Sequence, residues 1–203
     1  MHPTEVLSQE HRAIELALDV FERLAAEARQ TGMVDRGVAQ QTLEFLTEFA
    51  DRMHHGKEEQ VLFPRMEAHG FPGSHGPIAV MLNEHDCGRG ALGKIRALLS
   101  GPEFPDEHVR RFAATAAEYV ELLREHIAKE DGVLFPLGES LLTAEERTAM
   151  LARFAQVEVE ILGRGGREAR MRAIEQLAAR VGVPIGDARE AGPRRYSCGA
   201  RPH

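Results

Sequence analysis

The sequence has no tryptophan, and aromatic residues make up only 5% of its 203 positions. A core must therefore be built mainly from aliphatic side chains, as along the seams of packed helices. There are two cysteines, Cys87 and Cys198. They lie far apart and match neither a Cys-x-x-Cys site nor a disulfide framework, so a reducing, cytoplasmic setting is expected. Positive charge is in deficit. The formal net charge of −7 speaks against a nucleic-acid partner, which needs a basic footprint. No apolar run is long enough to span a bilayer. The opening residues MHPTEVLSQEH lack the basic start and apolar stretch of a secretion signal. Neither a membrane nor a nucleic acid is expected as a partner.

What is abundant is Ala, Leu, Glu and Arg, a composition that favours helix over sheet. The length suits one domain with an appendage. The most informative feature is an internal repeat. HHGKEEQVLFPRM begins at His54 and EHIAKEDGVLFPL begins at Glu125. Aligned on Leu-Phe-Pro, His54 falls on His126, Lys57 on Lys129, Glu58 on Glu130, Leu62 on Leu134 and Phe63 on Phe135. A weaker echo precedes each copy, LSQEH ending at His11 and LNEHD carrying His85. The chain thus reads twice as a single histidine followed, some way on, by His-x-x-x-Glu, and such repetition is a signature of architecture.

Hydrophobic periodicity predicts four helices of similar length joined by short turns. The first spans about 4–30, with Leu7, Ile14, Leu18, Phe21 and Ala25 in one stripe and His11 within it. The second spans about 35–68, with Leu43, Leu46 and Ala50 leading to His54 and Glu58; Pro64 is expected to bend or shorten its last turns. The third starts near Pro77, with Ile78, His85, Leu92 and Leu99 recurring every seven residues. The fourth spans about 106–133, with Val109, Phe112, Ala116, Tyr119, Leu123, His126 and Glu130 on one face. The expected fold is all-α, an up-down-up-down four-helix bundle over residues 1–140. A C-terminal helical extension follows at 141–182, opened by a Thr143–Glu146 capping box and broken at GRGG. The remainder, 183–203, is rich in Arg, Gly and Pro and is expected to be a mobile tail.

His-x-x-x-Glu on a helix puts both side chains on one face, one turn apart. In both copies that face is the apolar seam. Four imidazoles and two carboxylates are thereby aimed into a core where unpaired charge is costly, which points to bound metal. Mixed nitrogen and oxygen donors suit iron or manganese better than a closed structural zinc site.

This pattern resembles the hemerythrin-like family, the HHE cation-binding domains, over roughly Glu5 to Leu137. The resemblance implies a non-heme di-iron centre, two Fe ions bridged by two carboxylates, with manganese or zinc as alternatives. Carried over, the metal ligands are His11, His54, Glu58, His85, His126 and Glu130, with Glu58 and Glu130 bridging. The implied ligand is O2 or another small diatomic or peroxide, for sensing, storage or protection. Oxygen-carrying hemerythrins have a second histidine one turn after the first on the third helix; here that position is Arg89. Asp131 occupies the spacing of the carriers' aspartate, but the internal repeat favours Glu130. His55 is a candidate additional ligand, and Arg89 a candidate partner for a ligand carboxylate. The missing histidine leaves a more open centre, which keeps an enzymatic alternative in play: a peroxidase-like, catalase-like or nitric oxide reducing activity. Leu62, Leu134, Phe63 and Phe135 are expected to form an apolar lid. A ferritin-like oxidase is disfavoured, because Asp51 and Leu123 stand where its Glu-x-x-His pairs need glutamate. The iron-sulfur repair type carries a cysteine-bearing N-terminal segment, whereas the first helix here begins almost at the first residue.

Other polar residues have plainer expectations. Glu10 and Glu84 precede ligand histidines and should point away from the metals; Lys57 and Lys129 should be solvated. His69 and His75 belong to a loop, and His2, His108 and His203 to the surface. Cys87 is expected to be a small packed residue, and Cys198 exposed.

Overall fold

A computed structural model describes residues 2–101 and 103–185. The expected mobile tail, Cys198 and His203 therefore lie outside the described residues. The described residues form helices only, arranged as an all-α bundle.

The first helix is α1, Pro3–Thr31. Proline sits in its first turn, where no N–H is needed. Glu5 accepts from the His2 backbone N–H, and Gly32 ends the helix at φ 71°, a left-handed conformation that glycine adopts without strain. Its predicted stripe is buried, with Leu7, Leu18 and Phe21 fully covered. Each such side chain contributes roughly 1.5–3 kcal/mol of burial free energy.

The second helix is a continuous helical run over 36–68 that changes its winding. It comprises α2 (Arg36–Phe45), a π-helical stretch π1 (Leu46–His55), a second one, π2 (Glu58–Leu62), and α3 (Phe63–Ala68). The third is α4, Gly76–Ser100, with Pro77 in its first turn. The fourth comprises α5 (Asp106–Lys129), π3 (Glu130–Leu134) and α6 (Phe135–Leu141). The two halves of the repeat share this winding defect. Phe63 N–H donates to the carbonyl of Glu58, and Phe135 N–H to that of Glu130, each across five residues. The next residue is Pro64 or Pro136, which brings no donor. The expected shortening at Pro64 does not occur. The π turn absorbs the missing donor, and the helix continues to Ala68.

Each bundle helix lies beside its neighbours in chain order, and the first and fourth close the ring. Two apolar clusters fill the interior. The larger contains Ile14, Leu18, Phe21, Phe49, Phe112 and Tyr119. The smaller contains Leu7, Leu62, Phe63, Ile78, Leu134 and Phe135.

The extension consists of α7 (Ala144–Leu162) and α8 (Gly166–Arg180). Thr143 opens α7 with the expected capping box, accepting from Glu146 N–H while the Glu146 carboxylate accepts from Thr143 N–H. Gly163 and Gly165, at φ 76° and 69°, make the turn between the two helices. Met150 and Phe154 of α7 complete the smaller cluster. Ile174, Leu177 and Ala178 of α8 join the larger one.

Candidate metal centre

The residues singled out by the repeat meet at one level of the bundle. His11 comes from α1, His54 and His55 from π1, Glu58 from π2, His85 from α4, His126 from α5 and Glu130 from π3. All seven are buried. Their donor atoms form two sets, each compact enough for one cation: His11, His54, Glu58 and Glu130, and His55, Glu58, His85 and His126. Glu58 belongs to both. Its Oε1 lies 3.5 Å from His54 Nε2, and its Oε2 lies 3.4 Å from His85 Nε2. Glu130 mirrors it, with Oε2 3.3 Å from His11 Nε2 and Oε1 3.2 Å from His126 Nε2. None of these four carboxylate oxygens has a hydrogen-bond partner. Four unsatisfied buried oxygens are costly unless a cation sits among them.

His55 enters the core because of the winding. Adjacent residues of an α-helix point about 100° apart, but in the wider turns of π1 both His54 and His55 face inward. The His55 ring stacks on His85 with centroids 3.8 Å apart. Its Nδ1 is buried without a hydrogen bond. Its counterpart in the repeat is Ile127, so the two sets are unequal in nitrogen donors.

Behind the histidines stands a ring of carboxylates that sequence reasoning missed. His54 Nδ1 donates to Glu10 at 3.0 Å, His85 Nδ1 to Glu59 at 2.7 Å, His126 Nδ1 to Glu84 at 2.9 Å and His11 Nδ1 to Asp131 at 2.9 Å. Each bundle helix thus holds a histidine on the next, and the fourth holds the first. Glu10 and Glu84, expected to point away, point at neighbouring helices, because a direction off one seam in a four-helix bundle faces a flank. Lys57, expected to be solvated, is fully buried and donates to Glu10. Lys129 donates to Glu84 in the same way and is half-exposed. Arg89 does not reach Glu58 or Glu130. Its guanidinium pairs with Asp51 and Glu59, one layer further out. Cys87, expected to be packed, is exposed, since it lies on the side of α4 away from His85. His69 and His75 are exposed as expected, while His2 and His108 are half-buried rather than open.

Electrostatics follow from this layering. Burial would raise the carboxyls of Glu10, Glu59, Glu84 and Asp131. Hydrogen bonds from the imidazoles and cations outweigh it and hold all four below the usual carboxylate range. Ionised acceptors fix each Nδ1 as the N–H donor and turn Nε2 inward. There His11 Nε2 and His54 Nε2 lie 3.0 Å apart, and His85 Nε2 and His126 Nε2 lie 3.2 Å apart. Two inward lone pairs at that distance need a positive charge between them. Burial pushes His54 down to about 4, whereas Glu130 and Glu84 outweigh burial at His126 and raise it to about 9. Burial and the facing Glu130 push Glu58 well up, while His126 and His11 hold Glu130 well down against its own burial. Without metal, protons on Glu58 and His126 supply the positive charge that the site calls for.

The lid is as expected. Phe135 stacks on His11 at 5.4 Å, and Phe63 on His85 at 6.0 Å, with Leu62 and Leu134 buried beside them.

The pattern of the hemerythrin HHE cation-binding domain is matched over residues 2–138. The chain belongs to this family. Individual relatives are distant. The chain is 22% identical over 180 residues to the uncharacterized protein Rv1995 of Mycobacterium tuberculosis, covering 88% of this chain and 70% of that one. It is 36% identical over 104 residues to the iron-sulfur cluster repair protein YtfE of Edwardsiella ictaluri, covering 50% of this chain and 46% of that one. Its identity to the protein of that name from Yersinia pestis is 34% over the same length. The chain therefore spans about half the length of these repair proteins. No solved structure matches. Among the described residues, no helix of this hemerythrin-family protein is long and apolar enough to cross a membrane.

Proposed function

We propose that this hemerythrin-family protein holds two iron ions and binds O2 or a related small oxidant at that centre. His11 and His54 would hold one ion and His55, His85 and His126 the other, with Glu58 and Glu130 available to both. The observation that carries this reading is the set of four orphaned carboxylate oxygens, each opposite one inward imidazole nitrogen. Both donor sets fall short of an octahedral complement. Bound iron would supply redox chemistry and open coordination positions at such a site. The chain's own part is to fix the imidazoles through their outer carboxylates, to exclude water with Phe63 and Phe135, and to admit only small molecules.

A second reading has its own support. The similar proteins named for iron-sulfur cluster repair favour an iron-handling role, and open metal positions keep chemistry with nitric oxide or peroxide as the enzymatic alternative. Arg89 stands at the position of the oxygen carriers' extra histidine and turns outward to Asp51 and Glu59. The donor His55 comes instead from the second helix, so the centre differs from that of a simple carrier.

Anaerobic reconstitution with ferrous iron, metal analysis, and then exposure to O2, peroxide or nitric oxide tests both readings. Two irons per chain and a new absorption band on O2 exposure are expected. A His54→Ala/His126→Ala variant that still takes up two irons refutes the site. An O2 adduct that reverses under vacuum favours binding; consumption of peroxide or nitric oxide over many turnovers favours the enzyme.

A further inference from the structure

The repeat makes the two halves of the centre alike in sequence, but the rest of the chain treats them unequally. In the half that holds His54, Glu10 is fully buried and Lys57 is 1% exposed. In the matching half, Glu84 is 14% and Lys129 41% exposed. The chemistry is the same in both, an imidazole held by a glutamate held by a lysine. The difference is the extension, which lies outside the matched family domain. The Phe154 ring of α7 covers the Lys57 ammonium at 5.7 Å. Val157 lies against Gly56, and Glu158 accepts from Lys57 at 3.4 Å. Arg167, at the start of α8, brings its Nε within 3.8 Å of Glu10 and 3.9 Å of Glu158.

The outer layer of the other position is open and acidic. Asp51, Glu59 and Asp86 surround Arg89, which is itself 37% exposed. With Glu84 and Lys129 this rim carries four acids against two cations, which attracts a divalent cation, whereas the covered half sets Glu10, Asp131, Glu158 and Glu15 against Lys57, Arg167 and Arg12.

We propose that α7 and the start of α8 seal the metal position at His11 and His54, leaving the position at His55, His85 and His126 as the one through which iron enters and leaves. This rests on the two-iron reading above. Releasing an ion from the sealed position requires α7 to lift, a local opening that breaks the Lys57–Glu158 contact and uncovers Phe154 and Val157. Releasing one from the other requires the buried His85 and His126 to turn out past the partly exposed Glu59, Arg89, Glu84 and Lys129, with no helix to lift, which is faster.

The test uses the full chain loaded with ferrous iron under anaerobic conditions and mixed with excess ferrozine. The release of coloured chelate is followed in time. Two phases of one iron each are expected. Phe154→Ala and the milder Val157→Ala should accelerate the slow phase by about tenfold and change the fast phase by less than about twofold. Circular dichroism of each variant checks its fold, and Val157→Ala carries the test if Phe154→Ala unfolds. Release of both irons in one phase overturns the proposal, as does an extension variant that alters only the fast phase. Metal analysis before mixing separates the two claims. Fewer than two irons refutes the reading beneath, whereas two irons leaving together refutes the unequal positions alone.

Discussion

Glu10 and Glu84 hold equivalent places in the repeat, yet their removal should have very different costs. Glu10→Ala leaves Lys57 buried with its nearest carboxylate gone and His54 Nδ1 without an acceptor. Breaking a buried pair by deleting one partner costs about 3–5 kcal/mol. Glu158 offsets little of this, since it is the more distant partner at 3.4 Å and is partly exposed. Glu84→Ala removes the corresponding acceptor from His126, but Lys129 can turn to water. A partly exposed pair of this kind is worth about 1 kcal/mol or less. The assay is denaturant unfolding of the metal-free variants at neutral pH, followed by circular dichroism. Glu10→Ala should lower stability by about 2–4 kcal/mol more than Glu84→Ala, while each variant weakens iron binding by roughly 10–100-fold. Equal stability losses, agreeing within about 0.5 kcal/mol, would refute the claim that burial distinguishes the two halves.

Other consequences are as direct. His55→Leu should weaken the second iron and spare the first, read as a metal titration that saturates in two separated steps. Met150→Ala, in the cluster that roofs the centre, should cost about 2–5 kcal/mol in unfolding experiments. Asp35 caps α2 by accepting from Val38 N–H and pairs with Arg180, and these contacts hold its carboxyl below the usual range. Because the folded-state value is depressed, the stabilisation is present above the unfolded-state value of about 3.9 and is lost as pH falls through the folded one. The stability gap between the wild type and Asp35→Ala, about 1 kcal/mol at neutral pH, should therefore close in acid; a gap that widens there would contradict the assignment.

The bundle and the inward histidines were legible because helix periodicity and the repeat report the same seam. His11, His54, His85 and His126 each interrupt an apolar stripe at the same depth. The winding was not legible. A π turn shifts the periodic pattern by one residue, and over the short run from Leu46 to His55 that shift is lost among ordinary three- and four-residue spacings. His55 could accordingly be named as a candidate but not placed. The outer ring escaped for another reason. Glu10 and Glu84 were judged against their own helices, whereas their burial is decided by a neighbour that a single-helix projection does not contain. One signal was available. The repeat preserves Glu before each lone histidine, Lys before each paired glutamate, and an acid after it. Solvated positions have no physical reason to match so closely. The docking of α7 over Lys57 left no such trace, because a lysine's place in the sequence does not reveal whether another helix covers it.

The carboxylate ring has one more consequence. Glu10 holds His54 within the first helical pair, and Glu84 holds His126 within the second; Glu59 and Asp131 cross between pairs. The ring needs four helices, but it does not need four different ones. Two copies of a single two-helix chain, joined about a twofold axis, would close the Glu10–His54 kind of bond within each copy and the Glu59–His85 kind between copies. Each helical pair thus carries half of the ring and supplies the acceptors that the other half lacks.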